Sequence, residues 1–220
     1  MADAPADALL AGATGLVGQA LALEWGGPGK LHLLVRRPVP APAAASIVHL
    51  VDFTALPALP AARDAYCCLG TTIGLAGSQA AFRAVDCDAV LAFARGARTA
   101  GVKRFAVVSA LGANVRSGNF YSRVKGETEI ALAEIGFECL VIARPSLLLG
   151  DRSALGQPER RGELIGQAIT RRIGGLIPVA WRPIEAFVVA RALVRGLAGA
   201  GPGTTVLDSG ALQRLGRQTR

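Results

Sequence analysis

Three glycines, Gly12, Gly15 and Gly18, follow the apolar run Ala8-Leu9-Leu10-Ala11 and lead straight into a second apolar stretch, Leu16-Val17 to Ala20-Leu21. A short strand that enters a glycine turn and leaves as a helix leaves the chain few folds to choose from. The glycines let the backbone reverse sharply and let a ligand come close to it. The helix start adds free N–H groups and the positive end of its dipole. Such a turn suits a pyrophosphate. Gly12, Thr14, Gly15, Leu16, Val17 and Gly18 are the residues that would line it. The spacing departs from Gly-x-Gly-x-x-Gly, because Ala13 stands where that pattern has its second glycine. A glycine-rich turn that holds no ligand is the plain alternative.

The rest of the chain repeats the strand–helix alternation up to about residue 150. Strand-like runs fall at 8–12, 31–35, 47–51, 65–69, 104–109 and 138–143. Helical patterns fill residues 16–25, a long alanine-rich span from near Ser78 to Ala100 closed by Gly101, and 121–135 closed by Gly136. The linker between Arg37 and Ser46 carries Pro38, Pro40 and Pro42, which argues against a helix there. Strands separated by helices predict an α/β fold: a doubly wound, mostly parallel sheet of the Rossmann type. The reading divides the chain into a core over 1–150 and a short capping region over 151–220. In that region a helix starts at Pro158, a Gly/Pro-broken loop spans Gly174 to Pro183, and a last helix runs from Glu185 to Leu197.

Composition narrows the class. Of the 220 residues, 51% are hydrophobic and 18% charged, enough for a large core. No apolar stretch reaches the length of roughly 18 residues needed to span a bilayer. Asp3 and Asp7 stand where a secretory signal would be basic. The expectation is a soluble, cytoplasmic protein with a small-molecule substrate and no membrane or nucleic-acid partner. The formal charge of +8 does not change this, since the basic residues are scattered and few aromatics lie among them to stack on bases. Cys67, Cys68, Cys87 and Cys139 sit in apolar segments without paired C-x-x-C spacing, and His32 and His49 fall in strand-like runs. Buried small side chains are the better account of the cysteines, and no metal site is expected.

Candidate ligand contacts gather where the strands end. After the second strand come Arg36 and Arg37, with no carboxylate to take a ribose 2′-hydroxyl. Arginine at this place accommodates a 2′-phosphate, which favours NADP(H) over NAD(H). Exposed basic residues closing a strand are the alternative. Asp52 and Phe53 follow the third strand and would flank an adenine, with a generic strand end as the alternative. Leu69, Gly70, Thr71 and Thr72 follow the fourth and would line ribose and phosphates or form an ordinary turn.

Tyr121-Ser122-Arg123-Val124-Lys125 carries the sharpest chemical signal. Residues four apart share a helix face. A free phenol titrates near pH 10, and a neighbouring ammonium favours its ionised form, which makes proton transfer practical at neutral pH. Among twenty-four basic residues only Lys30, Lys103 and Lys125 are lysine, so lysine at this position stands out. A solvent-facing helix pair is the alternative. Ser109 closes the fifth strand at the same sheet edge; a serine there is common, but beside the tyrosine and lysine it would hydrogen-bond a substrate carbonyl.

In this order, Gly12-x-x-Gly15-x-x-Gly18, Ser109 and Tyr121-x-x-x-Lys125 resemble a short-chain dehydrogenase/reductase of the extended or atypical branch. Further stretches sharpen the match: Cys68-Leu69-Gly70-Thr71-Thr72, Ala76-Gly77-Ser78-Gln79, Val108-Ser109-Ala110-Leu111-Gly112-Ala113, Gly126-Glu127 after the lysine, and Arg144-Pro145-Ser146-Leu147-Leu148-Leu149-Gly150. Together they are similar to the small Tat-interacting-protein oxidoreductases over nearly the whole chain. The resemblance implies Tyr121 as general acid/base, Lys125 as its partner and ribose anchor, Ser109 as the carbonyl-orienting group, and Pro145 and Ser146 near the nicotinamide. It implies hydride transfer between NADP(H) and a small carbonyl or alcohol. Two departures stand out. Many extended relatives carry asparagine after a valine in the long helix, where this chain has Val85-Asp86, and the tail is shorter than in sugar-nucleotide epimerases. An NADP(H)-binding regulator and a nucleotide-sugar epimerase or dehydratase are the rival readings. Arg152 would grip an anionic substrate or pair with Glu159, and the helices near 78–100 and 121–135 would pair two copies into a homodimer.

Overall fold

The computed structural model describes residues 6–149 and 181–218. Arg152, Glu159, the helix expected from Pro158 and most of the loop between 151 and 183 lie outside them.

Seven parallel strands form the main sheet: β1 (Ala8–Ala11), β2 (Leu31–Val35), β3 (Ser46–Leu50), β4 (Asp64–Cys67), β5 (Arg104–Val108), β6 (Cys139–Arg144) and β9 (Gly203–Asp208). Their order is β3-β2-β1-β4-β5-β6-β9. The chain builds outward from β1 to β3, then crosses back to place β4 on the other side of β1. That reversal opens a crevice at the carboxyl ends of β1 and β4, where ligands of open α/β sheets bind. A small parallel pair, β7 (Leu148–Leu149) with β8 (Ile184–Glu185), lies apart from the main sheet.

Strand alternation assigns side chains to two cores. Leu10, Leu33, Tyr66, Ala106 and Val141 face one layer, with helices α1 (Leu16–Leu23), α6 (Ala186–Gly199) and α7 (Ser209–Arg217). Leu9, Leu34, Cys67, Phe105 and Ile142 face the other layer, which contains α3 (Gln79–Arg83), α4 (Val90–Thr99) and α5 (Phe120–Ala133). A single turn, α2 (Ile73–Ala76), precedes α3. The expected long helix from Ser78 is present, with the Ser78 hydroxyl accepting from Ala81 N–H as its cap and Gly101 at φ +90° after its end. Its middle is wider than an α-helix: Ala84–Ala89 form a π-helical segment between α3 and α4. The proline-rich linker after Arg37 holds no helix, as its sequence predicts.

The tail departs from the expected cap. Gly203–Asp208 joins the main sheet beside β6, and α6 packs against α1. Residues after 181 thus contribute to the core, and the boundary expected at residue 150 does not separate core from cap. The strand escapes detection by pattern because it lies at the sheet edge, with Leu207 its one buried residue. An edge strand needs no apolar run.

Candidate active site

The glycine turn fits a diphosphate. Gly12 has φ +87°, and a Cβ there would lie 2.4 Å from the Cys68 carbonyl carbon. At Gly18 a Cβ would lie 2.1 Å from the Gly12 carbonyl oxygen. These two positions need glycine for packing of the turn itself. Gly15 is different: its φ is −88°, and a Cβ would meet nothing closer than the Gly12 oxygen at 3.5 Å. Gly15 is the N-cap of α1, with no side-chain cap and no acidic residue in the first turn. The first-turn N–H groups thus have no carboxylate competing for them, and Thr14 beside them is exposed. Val17 is buried in the core, so its backbone is what faces the turn.

Around this turn the other expected contacts divide. Arg36 and Arg37 are both exposed directly after β2, next to β1 in the sheet. Asp52 spends its Oδ1 on its own turn, accepting from Thr54 N–H and Oγ1, each at 2.8 Å. Phe53, expected to flank an adenine, is 6% exposed and packs into the core. Thr72 caps α2 by accepting from Leu75 N–H. Leu69 and Thr71 are half-buried and Gly70 is exposed, in the turn after β4.

Lys125 is the centre of the site. Asn119 starts α5 by accepting from Ser122 N–H, which places Tyr121 in the first turn and Lys125 one turn on. Gly126 lets α5 approach the preceding loop; a Cβ there would lie 2.3 Å from Val115 N. The Lys125 ammonium is buried and sits 2.7 Å from Asp86 Oδ1, whose side chain is 1% exposed. Burial works against the ammonium, but Asp86, Tyr121 and Cys67 together outweigh it, so the lysine stays charged beyond its ordinary range. Asp86 Oδ2 accepts from Thr71 N–H at 2.8 Å. Tyr121 is half-buried, with its ring 5.3 Å from that of Phe82.

Asp86 comes from the π-helical segment, and the single Thr128 Oγ1 proton is shared between Val124 O at 2.8 Å and the Asp86 carbonyl at 3.2 Å. A π turn leaves carbonyls off the regular ladder, and this hydroxyl satisfies one of them. The sequence marks Asp86 only as a departure from asparagine. Its partnership with Lys125 is a contact between distant segments that spacing does not reveal.

Ser109 corrects an expectation. It is buried, and its hydroxyl donates to Glu129 Oε1. Glu129 is held in turn by Arg144, through Nε to Oε1 at 3.0 Å and Nη2 to Oε2 at 2.5 Å. The serine proton is therefore committed to a carboxylate behind the lysine rather than offered to a substrate carbonyl. A cavity of about 10 Å³ is lined by both buried acids, Asp86 and Glu129, together with Ser109, Lys125 and Thr128 among others. Pro145 is buried, and Ser146 Oγ donates to Arg182 O and accepts from Ser209 Oγ at 3.0 Å. Ser146 thus ties the end of β6 to the tail.

A parallel doubly wound sheet with a glycine turn after β1 and a Tyr-x-x-x-Lys helix after β5 defines the NAD(P)-binding Rossmann class of short-chain dehydrogenase/reductase and epimerase-like proteins. No protein-family model matches the chain. It is 35% identical over 178 residues to Protein HTATIP2 of Rattus norvegicus, covering 77% of this chain and 70% of that protein. It is 38% identical over 152 residues to Protein FMP52, mitochondrial, of Eremothecium gossypii, covering 66% of this chain and 68% of that one. The chain belongs to the HTATIP2/FMP52 family. Solved structures share the fold at low identity. MoeE5 in complex with UDP-glucose and NAD superposes with TM-score 0.69 at 17% identity, over 91% of this chain and 75% of that one. UDP-glucose 4-epimerase of Thermotoga maritima with UDP-glucose gives 0.67 at 12%, over 93% and 77%. The relatives correct the expected cytoplasmic location. FMP52 proteins of Eremothecium gossypii, Emericella nidulans, Candida albicans and Coccidioides immitis are named mitochondrial, which points away from the cytoplasm.

Proposed function

We propose that the protein is an oxidoreductase that uses NADP(H) and a small carbonyl or alcohol substrate, with Tyr121 as its general acid/base. The observation that carries this reading is the placement of Lys125. Its ammonium is buried one turn from Tyr121 and lies 4.0 Å from where a Cβ on Gly70 would sit, in the turn after β4 at the carboxyl edge of the sheet. The nicotinamide supplies or accepts hydride when bound. The chain does the rest. Gly12, Gly15, Gly18 and the first turn of α1 hold a diphosphate, Arg36 and Arg37 take a 2′-phosphate, and the Leu69–Thr72 turn lies against the ribose. Lys125 anchors that ribose and favours the ionised phenol, while Tyr121 gives its proton to a forming alkoxide or takes one from an alcohol. Ser109 steadies Glu129 behind the lysine.

Turnover of the Tyr121→Phe variant tests the reading. It loses turnover by ~10²- to 10⁴-fold, the range for removal of a general acid, and keeps its NADPH affinity. Unchanged turnover defeats it. A nucleotide-sugar epimerase is the second reading, prompted by the UDP-sugar complexes among proteins of like fold. It predicts measurable UDP-glucose binding to the full chain.

A further inference from the structure

Asp86 makes two bonds that join parts of the site distant in sequence. One carboxylate oxygen lies 2.7 Å from Lys125 Nζ, and the other accepts Thr71 N–H at 2.8 Å. The first partner is on α5, and the second is in the turn after β4. We propose that Asp86 is the positioning residue of this site, fixing the catalytic lysine and the cofactor-facing turn with a single buried carboxylate. The proposal rests on the reading of Tyr121 and Lys125 given above.

Three observations support it. First, the carboxylate has no solvent to spend itself on, since the Asp86 side chain is 1% exposed and that of Lys125 is 6% exposed. A buried ion pair is costly to dehydrate and persists only with good geometry and further hydrogen bonds. Thr71 N–H supplies one. Second, the π-helical segment that carries Asp86 is held from the opposite element by Thr128. Third, an asparagine here would still accept from Thr71 N–H but would offer Lys125 no charge. The carboxylate therefore does something an amide cannot: it pairs with the ammonium into a unit of zero net charge. A neutral pair stabilises a phenolate less than a lone ammonium does.

The other groups around the ammonium do not replace Asp86. Tyr121 and Glu129 share its helix, and Glu129 is engaged by Arg144 and Ser109. From β4, burial pushes the Cys67 thiol up to about 12, which leaves it neutral. Arg83 pairs with Glu127 on the exposed face of the same helices.

The chain has two tyrosines, which makes the test direct. Burial pushes the Tyr66 phenol far above its ordinary range, and the phenolate absorbance lost in Tyr121→Phe identifies the Tyr121 transition. In the full-length Asp86→Asn variant this transition falls by about one pH unit or more, the size expected when a neighbouring charge is removed. In Thr128→Val, which loosens the π-helical segment but keeps the carboxylate, it falls by less than in Asp86→Asn, and an equal or larger fall overturns the proposal. A transition in Asp86→Asn that is unmoved or raised overturns the proposal. Stability gives a second arm. Asp86→Asn combined with Lys125→Met leaves no buried charge alone and unfolds at a higher temperature than Asp86→Asn by itself. A double variant no more stable than the single one also overturns the proposal. Neither arm needs substrate or cofactor, so a protein without turnover defeats the oxidoreductase reading while leaving this test intact.

Discussion

Glu129 accepts the Ser109 hydroxyl from the end of β5 while Arg144, from the neighbouring strand β6, grips both of its oxygens. Glu129 follows Lys125 by one turn on α5, so the two buried charged groups share a helix face. The arrangement places Ser109 behind the site. Ser109→Ala is expected to lower stability by about 1–3 kcal/mol, the cost of leaving a buried acceptor short of a donor. Turnover should change less than about tenfold, well short of the effect of losing a general acid. Urea unfolding and steady-state rates on one preparation check both. A collapse of turnover at unchanged stability restores the serine to the substrate.

Gly15→Ala separates the ligand-facing glycine from the structural ones. A Cβ at Gly15 meets only ordinary contacts and φ is negative, so the fold is retained. The methyl group stands where a phosphate would approach the backbone, and NADPH affinity should drop about tenfold, or ~1.4 kcal/mol. Gly18→Ala, with its Cβ 2.1 Å from a backbone oxygen, should instead fail in thermal stability. Equal behaviour of the two variants contradicts this division.

Arg36→Glu is expected to weaken NADPH far more than NADH, because it repels a 2′-phosphate and gives a ribose hydroxyl an acceptor. Fluorescence titration with both nucleotides reads the ratio. A parallel loss of both removes Arg36 from the phosphate.

Alkaline pH should destabilise the protein. Burial raises the Cys67 thiol to about 12 from an ordinary 9.0. Burial opposes the Lys125 ammonium, but Asp86, Tyr121 and Cys67 together raise it above its ordinary range. Each group holds its proton longer when folded than when unfolded. Stability is therefore full below the unfolded values and falls as pH climbs toward the folded ones, by about 1.4 kcal/mol per pH unit for each group in its window. Urea midpoints between about pH 8 and about pH 11 follow this loss, and Cys67→Ala should flatten it. An equal slope in that variant shows that the thiol is not responsible.

The parts of the fold and site that sequence made legible are local ones. The glycine turn, the helix start near Ser78, the glycine stops at Gly101 and Gly136, and the Tyr121–Lys125 spacing are each written within a few residues. What stayed hidden is pairing across elements. Asp86 reaches Lys125 from a π-helical segment, whose register no α-helical periodicity foretells. Ser109 looked free at a strand end because its acceptor lies twenty residues on. Phe53 reads as a strand-end residue, yet its ring packs into the core, and Gly203–Asp208 is too exposed to announce itself as a strand. Local chemistry sets the elements, while side-chain direction is decided by the neighbours that packing brings.

The most direct test is a calorimetric titration of the purified full chain with NADPH and, separately, NADH. Saturable binding of both nucleotides, tighter for NADPH, is the predicted result. Absence of heat with either nucleotide, at concentrations that saturate ordinary dinucleotide enzymes, contradicts a diphosphate resting on the first turn of α1, and with it the role given to Tyr121.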